Sequence, residues 1–226
     1  MIDWIEKKEV IKSMIADEMV VFSVATHEMY DESLLFPEEL SLISEKAVLK
    51  RRVDFCLGRL AARSALKELG IENFPILKGA KNEPVWPYGI VGSISHTNGV
   101  ALAVAAKKTH LEGIGIDVEM VDSNSPIEIA PKICSEKELE WVFEKENEKK
   151  ARMISIFSSK ESVFKCLYPE VKSYFDFLDA ELFFDEEIKG FKGALLKDLN
   201  EKYYRGFEFV VKVEQVGNYI VTFMKL

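Results

Sequence analysis

The sequence predicts an α/β (α+β) fold built from two similar halves, and three observations carry this. Apolar residues recur at helical spacing over about residues 44–69 and again over about 148–167. Segments with strand character, alternating or continuously apolar and bounded by turn residues, follow each helical stretch. The order of a helix carrying basic residues and then strands therefore occurs twice, over 44–106 and 148–225, with no linker or low-complexity tract between.

At 226 residues, 48% hydrophobic and 30% charged, the chain has a globular composition and can bury a proper core. No apolar run reaches the length of a membrane span, and residues 1–6 lack the basic segment and apolar block of a secretory signal. A cytoplasmic protein with no membrane partner is expected. Cys56, Cys134 and Cys166 are far apart and odd in number, which suits reduced core residues rather than disulfides or a paired-cysteine metal site. The formal net charge of −8 argues against nonspecific attraction to nucleic acid, so any anion must be held by a local cluster of cations.

Taken in order, residues 20–25 form the best early strand, and Pro37 opens a helical region. Over 44–69 the apolar residues Val48, Val53, Cys56, Leu57, Leu60, Ala61 and Leu66 recur at helical spacing, with Gly70 as the helix's stop. At about 100° per residue, Arg52, Arg59 and Arg63 share a narrow stripe, with Arg51 about 80° from Arg59. A solvated basic face explains such a stripe equally well. Residues 76–87 read as a loop, in which Lys78 and Lys81 bracket Gly79 as a seat for a phosphate or simply as solvated lysines.

Residues 92–96 alternate as a strand, with Ser93 and Ser95 on one face, and His96 stands at its end before the turn Thr97, Asn98, Gly99. His27 and His110 read as structural. Residues 100–106 form a strand of small residues packed on both faces.

The stretch 113–119 alternates so that Ile114, Ile116 and Val118 face one way and Gly115, Asp117 and Glu119 the other. The two carboxylates, roughly 7 Å apart along the strand, suit a hard cation, Mg²⁺ before Zn²⁺. An acidic solvent face is the alternative. Residues 122–126 read as a loop, and Ser135 with Glu138 forms a capping box that opens a helix over about 136–146. A second helix, over about 148–167, ends before Pro169. It presents Glu161 and Lys165 on one face, with Lys160 adjacent, a pair that a surface salt bridge would also explain. Strands are expected over 181–184, 190–195, 207–213 and 219–224.

Four blocks of this chain together resemble the Sfp-type 4′-phosphopantetheinyl transferases, most closely the enterobactin synthetase component D branch. They are Arg51 to Arg63 with its Phe55, Gly58 and Arg59; Leu77, Lys78, Gly79 with Glu83, Pro84, Val85, Trp86, Pro87; Gly92, Ser93, Ile94, Ser95, His96; and Gly115 to Glu119 with Phe157 to Lys165. The resemblance implies two similar subdomains about a pseudo-twofold axis with the active site between them, here over 1–108 and 109–226. It implies an enzyme that moves the phosphopantetheine arm of coenzyme A to a serine of an acyl, peptidyl or aryl carrier protein, in siderophore or other secondary-metabolite biosynthesis, and a monomer.

By the same resemblance, Asp117, Glu119 and Glu161 hold Mg²⁺, and Lys165, with Lys160 and His96, offsets the pyrophosphate charge. Arg51, Arg59 and Lys78, with Lys81, hold the 3′-phosphate and neighbouring nucleotide groups, and Ser95 joins the coenzyme-binding set. Glu161 is also placed to accept the proton of the attacking serine. The alternatives are a coenzyme A-binding module without transfer and a Mg²⁺-dependent nucleotide pyrophosphatase using the same carboxylates.

Overall fold

The computed structural model describes residues 2–122, 125 and 127–226. Its elements run α1 (Trp4–Ile15), β1 (Val21–Thr26), α2 (Pro37–Leu40), α3 (Leu49–Glu68), β2 (Leu77–Lys78), β3 (Pro84–Val85), β4 (Ile90–Thr97), β5 (Val100–Lys107) and β6 (Ile114–Met120). The remainder is α4 (Ala130–Ile133), α5 (Glu136–Phe143), α6 (Lys149–Val171), β7 (Ala180–Asp185), β8 (Gly190–Leu195), β9 (Glu208–Val216) and β10 (Tyr219–Lys225).

Two antiparallel sheets carry the molecule, one in the order β1-β5-β4 and one in the order β6-β10-β9-β8-β7. Helix α3 lies on the first and α6 on the second, which is the repeated layout expected from the sequence, although the second sheet is the larger. Strand β5 is buried on both faces because its residues are small. Ala101 and Ala103 meet Val53, Leu57 and Ala61 of α3, while Val100, Leu102 and Val104 meet α1 and the Ile114, Ile116, Val118 face of β6. That burial of aliphatic surface is the main stabilising term where the sheets meet.

The two sheets are joined edge to edge by side chains rather than by a continuous ladder. Ser93 Oγ accepts from Ile116 N at 3.1 Å, and Ser95 Oγ accepts from Val118 N at 3.2 Å. On the other face of β6, Gly115 lets α6 approach so closely that a methyl group there would collide with the Ser162 carbonyl. Ser158 and Ser162 of α6 fasten the contact through the Thr222 hydroxyl of β10, at 2.9 and 2.7 Å. Small residues on both elements thus fix the height of α6 above the Asp117 side of the sheet.

Several sequence expectations need correction. Helix α1 was not anticipated; its signal is Asp3, whose carboxylate caps Ile5 N at 2.9 Å and Glu6 N at 3.2 Å. Helix α3 begins at Leu49 and not near residue 44, because Val48 is extended. The loop over 76–87 contains the short β2–β3 hairpin. Helix α5 stops at Phe143, three residues short of the expected end. Helix α6 runs past Pro169 to Val171, where Lys172 turns into the left-handed region. A proline so near a helix end removes only one late backbone donor, and the packed helix tolerates that. The loop expected over 122–126 falls partly on residues 123, 124 and 126, outside the described residues. All three cysteines are free and buried.

Candidate active site

The face of β6 opposite the core presents Asp117 and then Glu119, and α6 lays Glu161 and Lys165 over them. Asp117 is buried, and its Oδ1 accepts from Lys165 Nζ at 2.6 Å and from Ser95 Oγ at 2.7 Å. Its Oδ2 is buried without a partner among the described residues. Burial, with the charge of Asp117 behind it and a smaller repulsion from Glu161, pushes Glu119 up to about 7. Burial also raises Glu161, with Lys165 opposing and Asp117 adding. The cause is physical: three carboxylates share a partly dehydrated pocket with one ammonium.

Among the described residues, no group of three or more His, Cys, Asp or Glu side chains is arranged to hold a metal ion. The expected triad of Asp117, Glu119 and Glu161 is therefore not closed, and Lys165 occupies the Oδ1 side of Asp117. The donor set nevertheless fits a hard cation. It has an orphaned carboxylate oxygen and two neighbouring carboxyl groups held toward neutrality, chiefly by burial.

His96, at the end of β4, sits half-exposed with Nδ1 3.9 Å from Asp54 Oδ2 of α3. Desolvation lowers its basicity, Asp54 opposes that, and Lys165 and Arg59 add to it. The imidazole thus lies between the Lys165 side of the pocket and a second, cationic cluster.

That cluster is built on Phe55. The Arg59 guanidinium lies 4.1 Å from the ring centre and Lys78 Nζ lies 5.0 Å from it. Burial lowers Arg59 to about 10; its Nε donates to Ile76 O at 2.9 Å, while Nη2 is buried with no partner among the described residues. Desolvation, then Arg59 and Arg51, lowers Lys78. Three cations crowd one place, an arrangement that favours an anionic ligand. Arg51 is exposed beside them, and Lys81 is exposed on the β2–β3 turn, its amide held by Glu83 Oε2 at 2.8 Å.

The helical stripe is resolved by partners. Arg52 pairs with Glu32, through Nε at 2.7 Å, and Arg63 with Glu39 at 3.5 Å, so these two are structural. Arg51 and Arg59 remain for the cluster, as the resemblance and not the helical phase selected.

Two expected site residues lie elsewhere. Lys160 is buried in an ion pair with Glu138 at 2.7 Å and also donates to Ile133 O at 2.8 Å and Phe177 O at 2.9 Å. Its three donors are engaged away from Asp117, so it stands outside the carboxylate pocket. Ser95 is buried behind Asp117, its hydroxyl engaged by Asp117 and Val118, so it orients the carboxylate rather than meeting a ligand. Sequence reasoning missed Asp54 and Phe55 as site members. The available signal was the spacing of Asp54 and Gly58, four apart and hence on the helix face turned to His96.

The chain is similar to known proteins over most of its length. The family model described as the 4′-phosphopantetheinyl transferase N-terminal domain matches residues 37–106, and that of the 4′-phosphopantetheinyl transferase superfamily matches residues 113–224. The chain is 35% identical over 194 residues to the 4′-phosphopantetheinyl transferase Svp of Streptomyces mobaraensis, covering 81% of this chain and 76% of the relative. It is 35% identical over 171 residues to 4′-phosphopantetheinyl transferase PptT of Mycobacterium tuberculosis, covering 71% of this chain and 70% of the relative. Enterobactin synthase component D of Salmonella typhimurium is 37% identical over 123 residues, 54% of this chain and 50% of the relative. The similarity thus extends well beyond the component D branch.

Proposed function

This chain belongs to the 4′-phosphopantetheinyl transferase superfamily, and we propose that it transfers the phosphopantetheine arm of coenzyme A to a serine of a carrier protein in a Mg²⁺-dependent reaction. The single observation that supports this best is the juxtaposition of the carboxylate pocket around Asp117 with the cation cluster on Phe55, with His96 between them.

In this reading Arg59 and Lys78, with Arg51 and Lys81, hold the 3′-phosphate and neighbouring groups of the nucleotide. Lys165 and His96 face the pyrophosphate, where they offset charge on its oxygens as the phosphorus–oxygen bond changes partner. Asp117, Glu119 and Glu161 would hold Mg²⁺, which supplies further neutralisation of the pyrophosphate. The serine oxygen forms a bond to the phosphorus that bears the pantetheine. The bond to the bridging oxygen breaks, and adenosine 3′,5′-bisphosphate leaves with the electron pair. The serine proton passes to Glu161, whose carboxyl is raised above the ordinary carboxylate range by burial and so holds a proton more readily.

The division into residues 1–108, with the nucleotide contacts, and residues 109–226, with the metal pocket, belongs to the same proposal, as does a monomer acting in the cytoplasm. The test is mass spectrometry of a panel of apo carrier proteins incubated with the protein, coenzyme A and Mg²⁺. A carrier that gains one phosphopantetheine supports the reading. Binding of coenzyme A with no modified carrier favours the binding module, and phosphopantetheine released to water without a carrier favours the pyrophosphatase.

A further inference from the structure

We propose that Asp54 is a positioning residue for His96, turning the imidazole so that Nε2 rather than Nδ1 faces the pyrophosphate. The catalytic consequence rests on the transferase reading; the pairing itself does not.

Three features support it. Asp54 Oδ2 is 3.9 Å from His96 Nδ1, near enough for a charge interaction and one small movement short of a hydrogen bond. Gly58, one helical turn on, holds α3 close to β4 at that point: a methyl group there would lie 3.2 Å from Ile94 Cγ2 and 3.9 Å from His96 Cδ2. The other oxygen of Asp54, Oδ1, is buried without a partner among the described residues, so the carboxylate is not held by another cation in place of His96. A partly buried carboxylate with an open, buried oxygen lacks a structural explanation of its own and tends to mark function.

The charged groups that face His96 are Asp54 and Arg59 from α3 and Lys165 from α6. Two of these are cations, so of the three charged groups it is Asp54 that favours the protonated imidazole that a phosphate oxygen would meet. Second partners of this kind commonly fix the orientation of a functional histidine.

The test combines Asp54→Asn, Asp54→Glu and His96→Ala. In the free enzyme, NMR titration of His96 should show its midpoint lowered by roughly one pH unit in Asp54→Asn, because an opposite charge has been removed. That measurement needs no carrier, so it stands apart from the transferase reading. In the transfer assay Asp54→Asn should lower kcat about tenfold with the carrier KM unchanged, and lower it less than twofold in the His96→Ala background.

Asp54 also borders a groove of about 890 Å³, so a longer side chain can be housed there, and Glu keeps the negative charge beside His96. Asp54→Glu should therefore keep kcat within about threefold of the parent, a result that still reads the proposal if Asp54→Asn folds poorly. An unchanged His96 titration in Asp54→Asn, an equal loss in both backgrounds, or a failure of Asp54→Glu to retain activity would overturn it.

Discussion

Lys165 sets its ammonium 2.6 Å from Asp117 Oδ1 and leaves Asp117 Oδ2 buried without a partner among the described residues. One carboxylate is thus half neutralised by the protein and half open. The Lys165→Met variant should lower the melting temperature of the metal-free protein, since removing one partner of a buried pair leaves an uncompensated charge. Mg²⁺ should then raise the melting temperature more in Lys165→Met than in the parent, because the ammonium no longer competes for Oδ1. Calorimetry with and without Mg²⁺ reads both effects; an equal Mg²⁺ shift in the two proteins would show that Lys165 does not compete with the cation, and no shift in either argues against an open cation position.

Glu119 gives a pH dependence with a definite sign. Its folded value of about 7 lies above the ordinary 4.5, so between those values the folded state binds the proton that the unfolded state has lost. This contribution is fully present below pH 4.5 and is lost as pH rises through 7. The metal-free protein should therefore lose stability across that window, and Glu119→Gln should flatten the loss. Urea midpoints measured from pH 4.5 to 7.5 check it, and a parent profile no steeper than that of Glu119→Gln contradicts it.

Arg59 carries a prediction about ligand selectivity. Its unpartnered Nη2 and the neighbouring Lys78 Nζ both lie by Phe55. Arg59→Met should raise the KM for coenzyme A about tenfold and that for 3′-dephospho-coenzyme A less than twofold, as expected for loss of one charge-assisted contact to the 3′-phosphate. Equal effects on the two substrates would move that phosphate away from Arg59.

Lys160 belongs to stability rather than chemistry. Lys160→Met leaves the buried Glu138 carboxylate without its cation and should cost about 3–5 kcal/mol. Adding Glu138→Gln removes the charge but keeps only one of the two oxygens that accept from the amides of Ser135 and Leu182, so the double variant should recover part of the loss. Denaturation midpoints measure this, and a double variant no more stable than the single one would show that charge is not the cause.

Much of the site was legible because it follows backbone period. The alternation over 113–119 fixed which side of β6 carries Asp117 and Glu119, and the four-residue spacing joined Glu161 to Lys165. The resemblance brought these together with Arg59, Lys78 and His96. Lys160 misled because adjacency in a helix is not a shared face: one residue before Glu161 turns the side chain about 100° away, into the Glu138 pocket. Helical phase could not separate Arg52 and Arg63 from Arg59, for the opposite reason. They share a stripe with Arg59, but Glu32 and Glu39 come from the segment between β1 and α3, a tertiary contact without a local period. The role of Gly115 depends on the approach of α6, which no spacing within β6 reveals.

The central claim is most directly tested by transfer of a tagged coenzyme A to one apo carrier protein with Mg²⁺ present, comparing the parent with Asp117→Asn and Glu161→Gln. The parent should label the carrier to completion, and both variants, folded by circular dichroism, should lose at least about a hundredfold in rate, the order expected for removing one preorganised electrostatic group. Labelling by either variant at the parental rate would contradict the assignment of the active site to the Asp117 pocket.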